Sequence, residues 1–400
     1  MPVSLDTYDR IPELLRELNP TGVTVLADPA VADHAVTRKI LAEVAHAGFT
    51  PDRAVTPADG GMPAVEAAAS RLSPGELVVG VGGGSTLDFA KLVAAVGRHP
   101  DLLRYLTSGQ RSGLVALPLP WGEHAEVLAV PTTLGTGSEA GPVACFPHGD
   151  GKRIAMGECL RPRAALWVPE ATETLPGRLV MDGVLEALFR TVIPYSSDTL
   201  DLPEQDAAVE DLAGRLLTVG DRLARHTAAG LPAPAPERLR AARLSAESQR
   251  GAINIGRNPY AVKCWAVANE LSTTLGLAKM RAVSALWPVV WRQALRGDTR
   301  FGSADRVHRL WERLRQRASW LAPGRPDDGL EQLMLRWRID RTVHLAPHLR
   351  HHIALRSVRA WGAGLPTLAG LSADDVAALL AEATEPTASV AGSPEPLPAA

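Results

Sequence analysis

The chain has 400 residues, 46% of them hydrophobic and 22% charged, enough for two globular domains of ordinary composition. A formal net charge of −2 gives no bulk attraction to nucleic acid or an anionic membrane, and no apolar run reaches the roughly 20 residues that span a bilayer. The start, MPVSLDTYDRIPELLREL, lacks the pattern of a signal peptide, and Cys145, Cys159 and Cys264 are too few and too scattered for a disulfide framework, so a cytoplasmic setting is expected.

Short apolar runs alternate with helical patterns over the first ~180 residues. TGVTVLADPA reads as a strand ending at Asp28, and VTRKILAEVAHAG as the helix after it. AVEAAASRL is helical, ELVVGVGGGS is a buried strand running into glycines, TLDFAKLVAAVG is the next helix, and VLAVPTT is another short strand. This alternation predicts βαβ units and a largely parallel sheet. Beyond about Leu175, Ala/Leu/Arg-rich segments of helical period take over, among them GRLVMDGVLEALFRTVI, EQDAAVEDLAGRLLTVGDRLARHT and KCWAVANELSTTLG. The expected fold class is an α/β N-terminal domain with a parallel sheet (1–175), an all-α C-terminal domain (176–385) and a Pro/Ser/Ala-rich disordered tail (386–400).

Two segments carry candidate chemistry. In GVGGGSTLDFAK (80–91) a strand ends in Gly82, Gly83 and Gly84, and a helix is expected from Ser85. Bare backbone and a helix N-terminus suit a pyrophosphate, and Ser85 with Asp88 three residues on has the form of a capping box. A tight strand-to-helix turn without a ligand is the alternative. In VPTTLGTGSEAG (130–141), Thr132, Thr133, Thr136 and Ser138 stand among Gly135 and Gly137, a composition suited to phosphate and amide contacts or to an ordinary polar loop.

Together, GGGSTLDFAK (82–91) and PTTLGTGSE (131–139) resemble the GGGSxxDxAK and PTTxGTGSE patterns of the iron-containing alcohol dehydrogenase family, within the dehydroquinate synthase-like superfamily. The resemblance implies an N-terminal dinucleotide domain, a helical domain, a cleft between them, and NAD(P)-linked alcohol or carbonyl chemistry. The residues it assigns to the dinucleotide are Asp28, Gly83, Gly84, Ser85, Asp88, Thr132, Thr133, Ser138 and Lys152. A carboxylate at Asp28 would accept bonds from an adenosine ribose and repel a 2′-phosphate, so NAD is expected over NADP. A turn carboxylate ahead of Pro29 is the other reading of Asp28.

The family binds a divalent metal through one Asp and three His. Here MDGVLEALF keeps Asp182 but has Glu186 in the first histidine position, and WAVANEL puts Trp265 and Asn269 in the next two. Fourteen residues after Trp265, where the family has its PHG segment, stands Lys279, and no histidine lies between His226 and His308. No metal is therefore expected. Lys279, Asp182 and Glu186 are the expected catalytic set, the ammonium replacing the metal's charge at a substrate oxygen, with a buried ion pair filling the old metal cavity as the alternative. His344, His348, His351 and His352 read as a solvated basic surface.

The resulting expectation is a metal-independent NAD(P)-linked oxidoreductase acting on a small-molecule or peptide substrate of secondary metabolism, without nucleic acid or membrane partners and forming a homo-oligomer. One narrow version is similar to the daptide-type dehydrogenases of ribosomal-peptide biosynthesis, which oxidise and decarboxylate a C-terminal threonine. A lyase or synthase using NAD transiently, and a non-catalytic nucleotide- or peptide-binding partner, are the alternatives.

Overall fold

The computed structural model describes residues 2–384 apart from 58–59, 109–111, 119–120, 123, 150, 250, 322 and 363–364. The tail expected at 386–400 lies outside the described residues. The chain divides into two compact units, one of residues 1–179 with 238–250, the other of residues 180–237 with 251–400.

In the first unit, β1 (Val3–Leu5), β2 (Val23–Ala27), β3 (Asp52–Val55), β4 (Leu77–Gly82), β6 (Ala125–Pro131) and β9 (Pro162–Leu166) form one sheet of order β1-β9-β6-β4-β2-β3. Every neighbouring pair in it is parallel. Successive side chains of a strand point to opposite faces, and both faces are covered here. Val78 of β4, Leu26 of β2 and Val127 of β6 pack on one side; Val79, Val25 and Leu128 pack on the other. That two-sided burial is why these strands read as continuous apolar runs. The connecting helices include α1 (Ile11–Leu18), α2 (Ala35–His46), α3 (Met62–Ala69) and α4 (Gly84–Arg98).

A second sheet was not foreseen. β5 (Leu114–Ala116) runs parallel to β8 (Gly151–Met156), and β8 is the antiparallel partner of β7 (Val143–His148). The parallel sheet therefore has a small mixed sheet beside it in the same unit.

The second unit is helical, with no strand among the described residues. It comprises most of α6 (Gly177–Ser197), then α7 (Pro203–Ala228), α9 (Lys263–Leu275), α10 (Lys279–Leu295) and further helices to α14 (Ala373–Thr384). The expected continuous helical domain is interrupted. Most of α8 (Ala235–Glu247) clusters with the first unit. Arg238 explains this: it is buried, its Nε donates to Thr172 Oγ1 and its Nη2 to the carbonyl of Pro169, both at 3.1 Å. No helix among the described residues is long and apolar enough to cross a membrane.

Candidate dinucleotide site and the altered metal position

The glycine turn is shaped by what presses on it. A Cβ on Gly82 would lie 2.5 Å from Thr86 Cβ, and one on Gly84 2.8 Å from Thr136 Cγ2. A Cβ on Gly83 would lie 3.0 Å from Thr133 Cγ2. The glycines thus let the 131–139 loop lie directly on the start of α4, which places the two motifs side by side. The helix begins at Gly84 with Gly83 as its cap, and no side chain caps it. The capping box expected from Ser85 and Asp88 is not formed.

Asp88 does different work. Its carboxylate accepts from Ser138 Oγ at 2.5 Å and from the Cys145 amide at 2.9 Å, and pairs with Lys91 Nζ at 3.0 Å. Lys91 is fully buried and donates to the carbonyls of Ser138, at 3.1 Å, and Val143. Asp88 and Lys91 therefore tie the 131–139 loop and β7 to α4. Within that loop, Gly135 and Gly137 have φ of +94° and +63°, values that favour glycine. The amide of Thr132 bonds to the carbonyl of Gly82 at 2.9 Å, continuing the β4–β6 ladder into the loop.

A cavity of about 410 Å³ opens beside the turn. The chain runs from β2 to β3 on one side and then returns past β2 to β4, so strand order reverses between β2 and β4. Ligands of parallel α/β sheets bind outside the carboxyl ends of the strands at such a switch point. Asp28, just past β2, lines the cavity, as do Thr56, past β3, and Ser85 and Thr86, past β4. Asp28 Oδ1 accepts the Ala30 amide at 2.9 Å, as a turn carboxylate does, while Oδ2 accepts Thr86 Oγ1 at 3.2 Å. Lys152 of β8, opposite Pro147 in the hairpin, is exposed and lines the same cavity.

Of the expected dinucleotide residues, Asp28, Ser85 and Lys152 line the cavity, Gly83, Gly84 and Thr133 form the turn-to-loop contact, and Thr132, Ser138 and Asp88 are buried behind it. Sequence reasoning missed Thr56, Phe89 and Cys145, which also line it. The Thr-Pro directly after a strand was the available signal for Thr56, whereas Cys145 reaches the cavity on the unforeseen hairpin. No disulfide joins the three cysteines among the described residues, and burial pushes the Cys159 thiol up to about 11.

In the helical unit, Asp182, Glu186 and Phe189 of α6 are four and seven residues apart, one helix face. Phe189 stacks on Trp265 of α9 with centroids 5.5 Å apart and planes 14° from parallel. Lys279, the first residue of α10, places its Nζ 3.9 Å from the centre of the Trp265 ring. Three of the positions singled out in the sequence, Glu186, Trp265 and Lys279, thus belong to elements that pack through Trp265. Glu186 has Arg190 Nη1 at 3.9 Å. Asn269 is buried and its Nδ2 donates to Glu270 Oε1 at 3.3 Å. An indole and an ammonium offer no lone pair to a divalent ion, so Trp265 and Lys279 do not fit the role of metal ligands. Among the described residues no group of three or more His, Cys, Asp or Glu could hold one. His344, His348, His351 and His352 are exposed, as expected of a solvated surface.

Comparison with known proteins agrees with this architecture. Residues 4–169 match the iron-containing alcohol dehydrogenase family. The chain is 28% identical over 242 residues to the NADPH-dependent aldehyde reductase YqhD of Escherichia coli, covering 58% of each chain. It is 37% identical over 117 residues to the phosphonoacetaldehyde reductase of Streptomyces viridochromogenes, 28% of this chain and 29% of that one. The chain thus spans little more than half the length of the first of these curated relatives and less of the second. Among solved structures, the NADH-dependent butanol dehydrogenase A of Thermotoga maritima superposes with a TM-score of 0.79 at 17% identity, over 96% of this chain and 97% of that one. The iron-containing alcohol dehydrogenase of Thermococcus thioreducens gives 0.76 at 15% identity, over 96% and 97%.

Proposed function

We propose that this chain, which carries an iron-containing alcohol dehydrogenase domain over residues 4–169, is an NAD(P)-linked oxidoreductase of alcohols or carbonyls that works without a divalent metal. The observation that carries the reading is the cavity at the β2/β4 switch point, walled by Ser85 and Thr86 directly after the glycine turn, by Asp28 and by Lys152. Gly83, Gly84 and the free N–H groups at the start of α4 would hold the pyrophosphate. Asp28 would accept the hydroxyls of the adenosine ribose, with its negative charge favouring NAD over NADP. Lys152 would meet a phosphate or ribose oxygen from the hairpin side. When bound, the nicotinamide supplies hydride transfer.

The chain's own part in the chemistry is to stabilise charge at the substrate oxygen. We assign that role to the Lys279 ammonium, with Asp182 and Glu186 as the carboxylates of the same helical unit that fix its charge. The substrate class we assign is a carbinol or ketone of a specialised metabolite. The narrow case is a peptide C-terminal threonine, whose oxidation yields a β-keto acid that loses CO₂, and an ammonium at the ketone oxygen would favour that loss.

Titration of the full-length protein with NAD and with NADP, followed by intrinsic fluorescence, tests the reading. Saturable binding with NAD the tighter of the two is expected. Failure of both nucleotides to bind would overturn it in favour of a non-catalytic partner.

A further inference from the structure

Lys279 stands where helix electrostatics disfavours it. It is the first residue of α10, with no acidic residue in that turn, and the N-terminus of a helix carries partial positive charge. The second cation of the same turn, Arg281, is satisfied elsewhere, by Asp340 at 2.5 Å and the carbonyl of Thr342 at 3.0 Å. The Lys279 ammonium lies over the indole of Trp265. A cation at 3.9 Å from the centre of an indole is well within the range in which the ring's negative face attracts it.

Trp265 is itself held. Phe189 stacks on it, and Phe189 meets Trp287 edge-on at 5.1 Å, which in turn meets Trp291 edge-on at 5.5 Å. Phe189, Trp287 and Trp291 are buried, so this chain of rings is core. The indole face offered to Lys279 therefore has little freedom to move. A corner at Gly276, φ +64°, ends α9 and returns the chain to start α10, which brings Lys279 back to the helix that carries Trp265.

We propose that Trp265 is the positioning residue of Lys279, its ring face fixing the ammonium at the place where the family holds a metal ion. This inference rests on the reading that Lys279 acts at the substrate oxygen. It assigns a function to a residue that otherwise only fills the position of a lost ligand: a π face in place of a lone pair, selecting a monovalent ammonium.

Two measurements on the full-length protein test it. The chain has five lysines, so reductive methylation with ¹³C-formaldehyde gives few lysine resonances. One should be displaced upfield by the indole ring current, be missing in Lys279→Arg, return to the ordinary lysine position in Trp265→Leu and stay partly displaced in Trp265→Phe. Absence of a displaced resonance in the parent protein overturns the placement. Turnover is then measured with NADH and a panel of short-chain aldehydes and ketones. Trp265→Leu should lower kcat about tenfold with KM within about twofold, and Trp265→Phe should restore most of the loss. If Trp265→Leu leaves kcat unchanged while Lys279→Met abolishes it, the positioning role is wrong and the Lys279 reading survives. If Lys279→Met also turns over normally, that reading falls and this inference with it.

Discussion

In the first unit, Gly82, Gly83 and Gly84 lie against Thr86 of α4 and Thr133 and Thr136 of the 131–139 loop, and a buried Lys91–Asp88 pair ties the loop down behind them. In the helical unit, Trp265 and Lys279 meet as ring and ammonium on a core of stacked aromatics. The first is a site kept by backbone fit, where small residues cannot be exchanged. The second is a contact between side chains carried on α9 and α10. Adding a Cβ in the first forces the backbone to move, whereas in the second a side chain can be exchanged with the helices in place.

That contrast predicts its largest effect at Lys91. Lys91→Met leaves Asp88 without its cation, and breaking a buried pair from one side costs about 3–5 kcal/mol. Denaturant unfolding should show that loss, and the double variant Lys91→Met/Asp88→Asn should recover part of it; full stability of the single variant would mean the pair ties nothing. Next comes Gly84→Val. A Cβ there already meets Thr136 Cγ2 at 2.8 Å, so the loop must move off the turn. Overpacking of this kind costs about 1–3 kcal/mol. NAD affinity, read by fluorescence titration, should fall more steeply than stability. Equal affinity in the variant would break the link between the turn and the nucleotide.

How much of this was legible depends on what each residue reports. The two-faced burial of Val78/Val79 and Val127/Leu128 made β4 and β6 visible as apolar runs, and the glycine turn followed. The β7–β8 hairpin was invisible because its residues are only partly buried and lack a clean alternation, as in Gly151–Met156. It hid Lys152's partners and Cys145's place in the cavity. The move of residues 238–250 to the first unit was invisible because Arg238 looks like a surface cation in PERLRAARL, yet is buried against Thr172. The Ser85–Asp88 spacing misled for a related reason: Asp88 finds Ser138 and Lys91 from distant or buried positions, and local spacing cannot report a competitor fifty residues away. At Trp265 and Lys279 the sequence named the positions, but the contact between them needed coordinates.

A smaller effect is expected at Asp28, where the nucleotide site should be adjustable by side chain alone. Asp28→Ser keeps a turn acceptor for the Ala30 amide and removes the charge that, on the proposed reading, would face an adenosine 2′ group. The ratio of NAD to NADP affinity should fall about tenfold, roughly 1.4 kcal/mol, with little change in stability. An unchanged ratio in competitive titration would show that Asp28 is only a turn residue and that specificity lies elsewhere in the cavity.

The remaining effect is one of pH and separates the units by acidity; it lies at Asp206 in α7. Burial alone would push its carboxyl up, but hydrogen bonds from Arg306, Arg257 and Arg309 outweigh that and hold it well below the usual carboxylate range. Arg306 Nη1 lies 2.9 Å from Asp206 Oδ1, and all three guanidinium groups sit within 5.5 Å of the Tyr195 ring centre. Burial, then Glu210, push the Tyr195 phenol up to about 12, so it stays neutral across the working range. A group whose folded pKa is depressed stabilises the protein above its unfolded pKa, about 3.9 for Asp, and that contribution is lost as pH falls toward the folded value. Stability should therefore be flat with respect to this group above about pH 5 and decline below pH 4. Asp206→Asn should flatten that acid limb, since it removes the titrating group, while lowering stability at pH 7. If the acid limb is unchanged in Asp206→Asn, the arginine cluster does not govern acid stability. Hydrogen exchange would then have to show which unit opens first in acid.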